Sequence, residues 1–167
     1  MGKKDELEFK LSSKQKGNIL EKRFIELVSL GSNGKISCYI PDSDDDGIDV
    51  ILNLKSEFKP LFIQVKSRFN INSNGTYSQD IGTNTFKEHS SFYICFFYYD
   101  LKQFDVAKIW LVPSIDFKKK AVVLNPTDYA QKLRFAASPK DSSNDQWSEY
   151  RVKKEDLGEK LLEIMNK

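Results

Sequence analysis

Three polar residues stand where the sequence around them is apolar. Asp49 lies in Gly47-Ile48-Asp49-Val50-Ile51-Leu52, and Gln64 and Lys66 lie in Leu61-Phe62-Ile63-Gln64-Val65-Lys66. An acid, an amide and an amine are costly to bury unless each meets a partner or performs a task. Carboxylate and amide oxygens can ligate a hard cation or orient water, and an ammonium can stabilise developing negative charge. Both runs read as strands, in which side chains alternate between faces. In the first, Ile48, Val50, Leu52 and Leu54 share one face, and Asp49 lies on the other with Ile51 and Asn53. In the second, Ile63 and Val65 face one way while Phe62, Gln64, Lys66 and Arg68 face the other. Residues 55–60, charged and ending in Pro60, join the two as a hairpin. Paired as neighbours, the runs bring Asp49, Gln64 and Lys66 to one side. The plainer alternative is a salt-bridged hairpin, with Lys66 on Asp49 and Gln64 on a backbone group.

The element before the hairpin adds a fourth polar residue. Leu20, Phe24, Leu27 and Val28 recur at helical spacing over residues 17–30, and Gly31 is a stop signal. At about 100° per residue, Glu21 falls inside that apolar arc. A carboxylate on the packing side of a helix is uncommon unless it is paired or ligates a cation; an edge position reaching solvent or a lysine is the other reading.

Asp46-Gly47-Ile48-Asp49-Val50, followed by Ile63-Gln64-Val65-Lys66, resembles the PD-(D/E)xK nuclease superfamily. Within it, Gln in place of the usual acid looks most like the Mrr-type restriction-endonuclease branch. The resemblance covers residues 17–68 well and the remainder in outline. It implies a restriction-endonuclease-like α/β (α+β) core with a central mixed β-sheet flanked by helices. It also implies an endonuclease that hydrolyses DNA with magnesium or manganese, in restriction, phage defence or repair. Asp49 would be the central metal ligand. Glu21, Asp46, Gln64 and the Val65 carbonyl would complete the set, and Lys66 would hold the attacking water. Gln64 brings no charge, so cation affinity is expected to be weaker unless Glu21 or Asp46 compensates. Arg68 and Lys16 are candidate phosphate contacts. A non-catalytic nucleic-acid-binding or assembly module that keeps the fold remains the alternative. A homodimer, or a partner protein supplying specificity, is implied only by the resemblance.

The chain as a whole sets looser bounds. Its 167 residues suit one domain, expected at 17–167 behind a polar tail at 1–16. A composition 40% hydrophobic and 13% aromatic is that of a globular protein. The net charge of +2 does not by itself argue for nucleic acid. Cys38 and Cys95 read as reduced core thiols, and no CxxC or Cys/His cluster points to zinc. With no spanning apolar segment and no signal peptide, a cytoplasmic protein is expected.

Elsewhere the reading is coarser. Leu7, Phe9 and Leu11 alternate as a short edge strand within the tail, and Asn33-Gly34 marks a turn before a strand at 36–40. Asp42, Asp44, Asp45 and Asp46 crowd the following loop. Residues 69–88 read as a long loop with a possible helix near 81–89, where the single histidine, His89, is taken as structural. Residues 91–99 are nearly all apolar or aromatic and read as a strand buried on both faces. Its tyrosines can stack on bases but are read first as packing. A strand at 105–113, a short helix or turn ending in Lys118–Lys120, and short strands at 121–124, 132–136 and 147–152 follow, then an amphipathic helix at 155–165.

Overall fold

The hairpin forms, and a sheet grows outward from it. The computed structural model describes residues 10–43, 45–125 and 130–167. Strand β1 (Ile36–Tyr39) pairs antiparallel with β2 (Val50–Leu54), and β2 pairs antiparallel with β3 (Leu61–Arg68). β4 (Tyr77–Gly82) leaves for a second sheet. β5 (Phe92–Asp100) returns to lie parallel to β3, and β6 (Asp105–Pro113) closes the first sheet antiparallel to β5. The order is β1-β2-β3-β5-β6. This is the mixed α/β sheet flanked by helices that the sequence leads one to expect.

Two cores lie on the two faces of that sheet. On one, Val50, Leu52, Ile63, Val65, Cys95 and Phe97 pack under helices α1 (Ser13–Gly31) and α3 (Leu157–Met165). On the other, Phe92, Ile94, Phe96, Trp110 and Val112 pack against Tyr77, Leu133, Phe135 and Trp147. Those residues belong largely to a second antiparallel sheet, β4-β8-β7, with β7 at Val122–Leu124 and β8 at Lys132–Ala137. Helix α2 (Ser114–Lys120) adds Phe117 to this second core. Phe96 and Phe135 stack at 3.9 Å between ring centroids, joining the sheets. The alternation of β5 between the two cores is what its unbroken apolar sequence encodes.

Several boundaries differ from expectation, each for a local reason. α1 begins at Ser13 instead of residue 17, so Lys14 and Lys16 ride on a helix and not on a tail. Ser12 and Gln15 form a capping box there: Gln15 N–H donates to Ser12 Oγ at 3.2 Å, and Ser12 N–H to Gln15 Oε1 at 2.9 Å. Leu7 and Phe9 of the expected edge strand, and Asp44, lie outside the described residues; Leu11 is not in a strand. Residues 81–89 form no helix: Ile81 and Gly82 end β4, residues 83–85 turn, and Phe86 drops into the second core beside Phe92 and Phe117. Residues 147–152 are a single 3₁₀ turn, Ser148–Tyr150, followed by one bridge between Arg151 and Trp110. Asp145 sets this up, accepting the Trp147 N–H at 2.9 Å and the Ser138 N–H at 2.8 Å, which bends the chain before a strand can form.

The second sheet carries a bidentate ion pair between directly opposed residues. Arg134 Nε meets Asp80 Oδ1 at 2.7 Å and Nη2 meets Oδ2 at 2.9 Å. The Arg134 guanidinium holds the Asp80 carboxyl below its usual range. A depressed folded pKa means that the stabilisation is present above about pH 4 and is lost as acid protonates Asp80. Asp80→Asn should therefore cost about 0.5–1 kcal/mol at pH 7 in low salt, because solvent screens a half-exposed pair. The difference should vanish near pH 2; urea melts at the two pH values check this, and an equal deficit at both would show that the pair contributes nothing.

Candidate active site

The site lies where β2 and β3 part. β2 pairs with β3 only over Leu61, Phe62 and Ile63. β3 then runs on to Arg68 in register with β5 on its other side. At the parting point Asp49 keeps the ladder going by two means. Its N–H donates to the Ile63 carbonyl at 2.8 Å, and its Oδ2 accepts the Val65 N–H at 2.6 Å. The carboxylate thus takes the place of the backbone acceptor that β2 no longer supplies. In a strand the N–H and C=O of one residue point to the same edge, so the Val65 carbonyl is turned into the same fork.

The turn that delivers Asp49 depends on glycine. Gly47 has φ +69°, and a Cβ there would come within 2.7 Å of the Thr85 carbonyl oxygen and 3.1 Å of Gln64 Nε2. The loop after β4 is therefore seated on this turn, and Lys87 reaches across to Asp46 at 3.3 Å.

Six of the eight residues singled out in the sequence meet in one place. Glu21 from α1, Asp49, and Val65, Lys66 and Arg68 from β3 line a cleft of about 540 Å³, with Lys16 at its rim. Three cations thus surround two carboxylates, an arrangement suited to holding a phosphate next to a hard cation. Glu21 and Asp49 also line a neighbouring cleft of similar size, beside Asp42 and Ile40. Lys16 Nζ lies 5.7 Å from the centroid of the Phe69 ring. Gln64 and Asp46 do not line the first cleft. Gln64 is 2% exposed, and its Oε1 makes no hydrogen bond among the described residues. Asp46 is exposed and pairs with Lys87.

Sequence reasoning passed over Gln79. It comes from β4, lines the same cleft, and accepts a hydrogen bond from Arg68 Nε at 3.3 Å. The signal was available: Gln79 stands between the buried Tyr77 and Ile81, where alternation asks for an apolar residue. That interruption also hid β4 inside what reads as a loop. Beside it, burial pushes the Tyr77 hydroxyl pKa up, and the positive charge of Arg68 opposes the shift.

Comparison with known proteins adds one finding. No family model and no curated protein matches the chain. Among solved structures, the chain superposes on a bacterial homing endonuclease, I-Ssp6803I, with a TM-score of 0.59. The two chains share a fold. The match covers 93% of this chain and 94% of that one at 16% identity. The shared fold therefore extends well beyond residues 17–68, which carried the motif. The likeness reaches the fold and does not single out the Mrr-type branch. Among the described residues no helix is long and apolar enough to cross a membrane, and no three His, Cys, Asp or Glu side chains gather as a ready-made metal site.

Proposed function

We propose that this protein is a divalent-cation-dependent endonuclease that hydrolyses DNA phosphodiester bonds in the fork between β2 and β3. One observation carries the reading: the Asp49 carboxylate is fixed on the Val65 N–H in a cleft that also holds Glu21 and Lys66. The donor set fits magnesium or manganese. It offers two carboxylates and a backbone carbonyl turned into the fork, all hard oxygen donors, while the buried Gln64 amide oxygen, without a hydrogen-bond partner among the described residues, lies outside the cleft lining. Asp49, Glu21 and the Val65 carbonyl would hold the ion, with Gln64 and Asp46 the outlying members. Such an ion offsets the charge that builds on phosphorus and acidifies water.

The chain's own residues do the rest. Lys66 holds the attacking water and stabilises the extra negative charge of the transition state. Arg68, oriented by Gln79, and Lys16 grip flanking phosphates. Asp49, already accepting one backbone hydrogen bond, is held rigidly for the ion.

A non-catalytic DNA-binding module is the second reading, favoured by the uncharged, enclosed Gln64. Supercoiled plasmid and branched DNA with magnesium, manganese or EDTA separate the two. The expected result is metal-dependent cutting, reduced about 10²–10³-fold in Lys66→Ala. Cutting that persists in EDTA, or DNA binding with no cutting and no calorimetric signal for manganese, would remove the enzyme reading.

A further inference from the structure

The segment that joins β3 to β4 starts in the cleft. Asn70 lines the cleft together with Arg68 and Gln79, and the hydrogen bond between those two ties β3 to β4 at the base of the segment. Its side chains then alternate. Phe69 is buried in the first core and Ile71 packs against the second, while Asn70 and Asn72 are exposed. The tip is a closed turn. Asn72 N–H donates to the Thr76 carbonyl at 3.0 Å, Gly75 N–H to the Asn72 carbonyl at 2.8 Å, and Thr76 N–H to Asn74 Oδ1 at 3.1 Å. Gly75, at φ +79°, and the Asn74 side chain are therefore what the turn requires. Asn70, Asn72 and Ser73 are not required by it. All three are exposed, and their side chains make no hydrogen bond among the described residues. In a chain that is 30% charged, residues 69–79 carry no charge at all, whereas the solvated hairpin turn at 55–60 carries Lys55, Glu57 and Lys59.

We infer that the β3–β4 loop reads base edges in a groove of duplex DNA, with Asn72 as the main reading residue and Asn70 and Ser73 beside it. The inference rests on the nuclease reading and specifies its substrate as duplex of selected sequence. A carboxamide presents one donor and one acceptor side by side, the complement of the N7 and N6 amino edge of adenine, and a hydroxyl suits either kind of partner. The phosphates that flank a groove repel a carboxylate and draw a lysine to themselves, so an uncharged tip is left for the bases. Lys16, Lys66 and Arg68, at the base of the loop, supply the backbone contacts. The carboxylates of the cleft, Glu21 and Asp49, come from α1 and the fork and belong to the ion in this reading. Anchored in two cores through Phe69 and Ile71, and closed by its own hydrogen bonds, the loop has little backbone freedom to lose on binding.

The test selects bound duplexes from a library of randomised sequence, with calcium in place of magnesium, then measures affinity for selected and scrambled duplexes over a range of salt. The wild type should enrich one base pattern, with adenine prominent in it. Asn72→Ala removes a side chain that holds nothing in the fold, so its thermal midpoint should match the wild type; Asn74 is left intact because it holds the turn. Asn72→Ala should bind the selected duplex about 5- to 150-fold less tightly, relax the choice at the position it reads, and keep the wild-type salt dependence. Asn72→Gln, which retains the amide, should recover part of the preference. No enrichment by the wild type, whether because no duplex binds or because all bind alike, overturns the inference. So does an unchanged pattern when Asn70→Ala, Asn72→Ala and Ser73→Ala are combined. An equal loss on every sequence with a shallower salt dependence also overturns it, since the loop is then a phosphate contact. Selection reads binding alone, so an Asn72-dependent pattern without cleavage would sustain the base-reading loop and remove the nuclease. Cleavage sensitive to Asp49 with no base pattern would do the reverse.

Discussion

Asp49→Asn should abolish DNA cleavage, by on the order of 10³-fold or more, while leaving the protein folded. The reasoning separates two tasks that one carboxylate performs. As a hydrogen-bond acceptor, Asp49 satisfies the Val65 N–H at the point where β2 leaves β3. As an anion, it would anchor the cation. An asparagine oxygen can still accept the Val65 N–H, so the ladder closes, but the charge is gone. Asp49→Ala removes both functions and should in addition cost about 1–3 kcal/mol, because a backbone donor on a buried residue loses its acceptor. The measurement pairs initial rates of plasmid cleavage with urea melts of both variants. If Asp49→Asn cuts at wild-type rate, Asp49 is a structural ladder residue and the catalytic assignment fails.

Gly158→Ala should be the most destabilising small substitution in the helical layer. α3 crosses the end of α1 with Gly158 set against Gly31, and a Cβ on Gly158 would lie 2.5 Å from the Gly31 carbonyl carbon and 2.5 Å from Ser32 N. These are backbone atoms, so no side chain can rotate away, and α3 must lift off α1. Leu157, Leu161 and Met165 would then lose contact with Leu20, Phe24, Leu27 and Val28 in the first core. Overpacking of this kind costs about 3 kcal/mol. For a chain of this size that lowers the thermal midpoint by about 6–12 °C. Calorimetry on the variant is the check, and a midpoint within a degree of wild type would mean that the two helices are not held at this distance. Because Glu21 lies on α1, a displaced helix should also reduce cleavage, and cooling should partly restore it.

How much of this is legible in the sequence differs from residue to residue. The hairpin strands, residues 50–54 and 61–68, follow from period-two patterning, since each side chain's face is fixed by its own position in the strand, and the strand at 92–100 follows from an unbroken apolar run. Asp49 and Lys66 stand out for the same reason, as polar residues in apolar runs. Glu21 was legible through helical periodicity, which places it on the packing side of α1 before any contact is known. Other features depend on partners far away in the chain. β4 is hidden because Gln79 interrupts its alternation, and only the opposing β8 and the cleft beneath explain why that position is polar. Gln64 reads as a site residue by spacing, yet its burial beside the Gly47 turn is a property of packing. Local alternation and periodicity therefore determine which residues are polar in apolar surroundings and which elements carry them. Where those elements part, and what the fork between them encloses, is set by long-range strand pairing and the packing of two cores, and only the tertiary structure decides it.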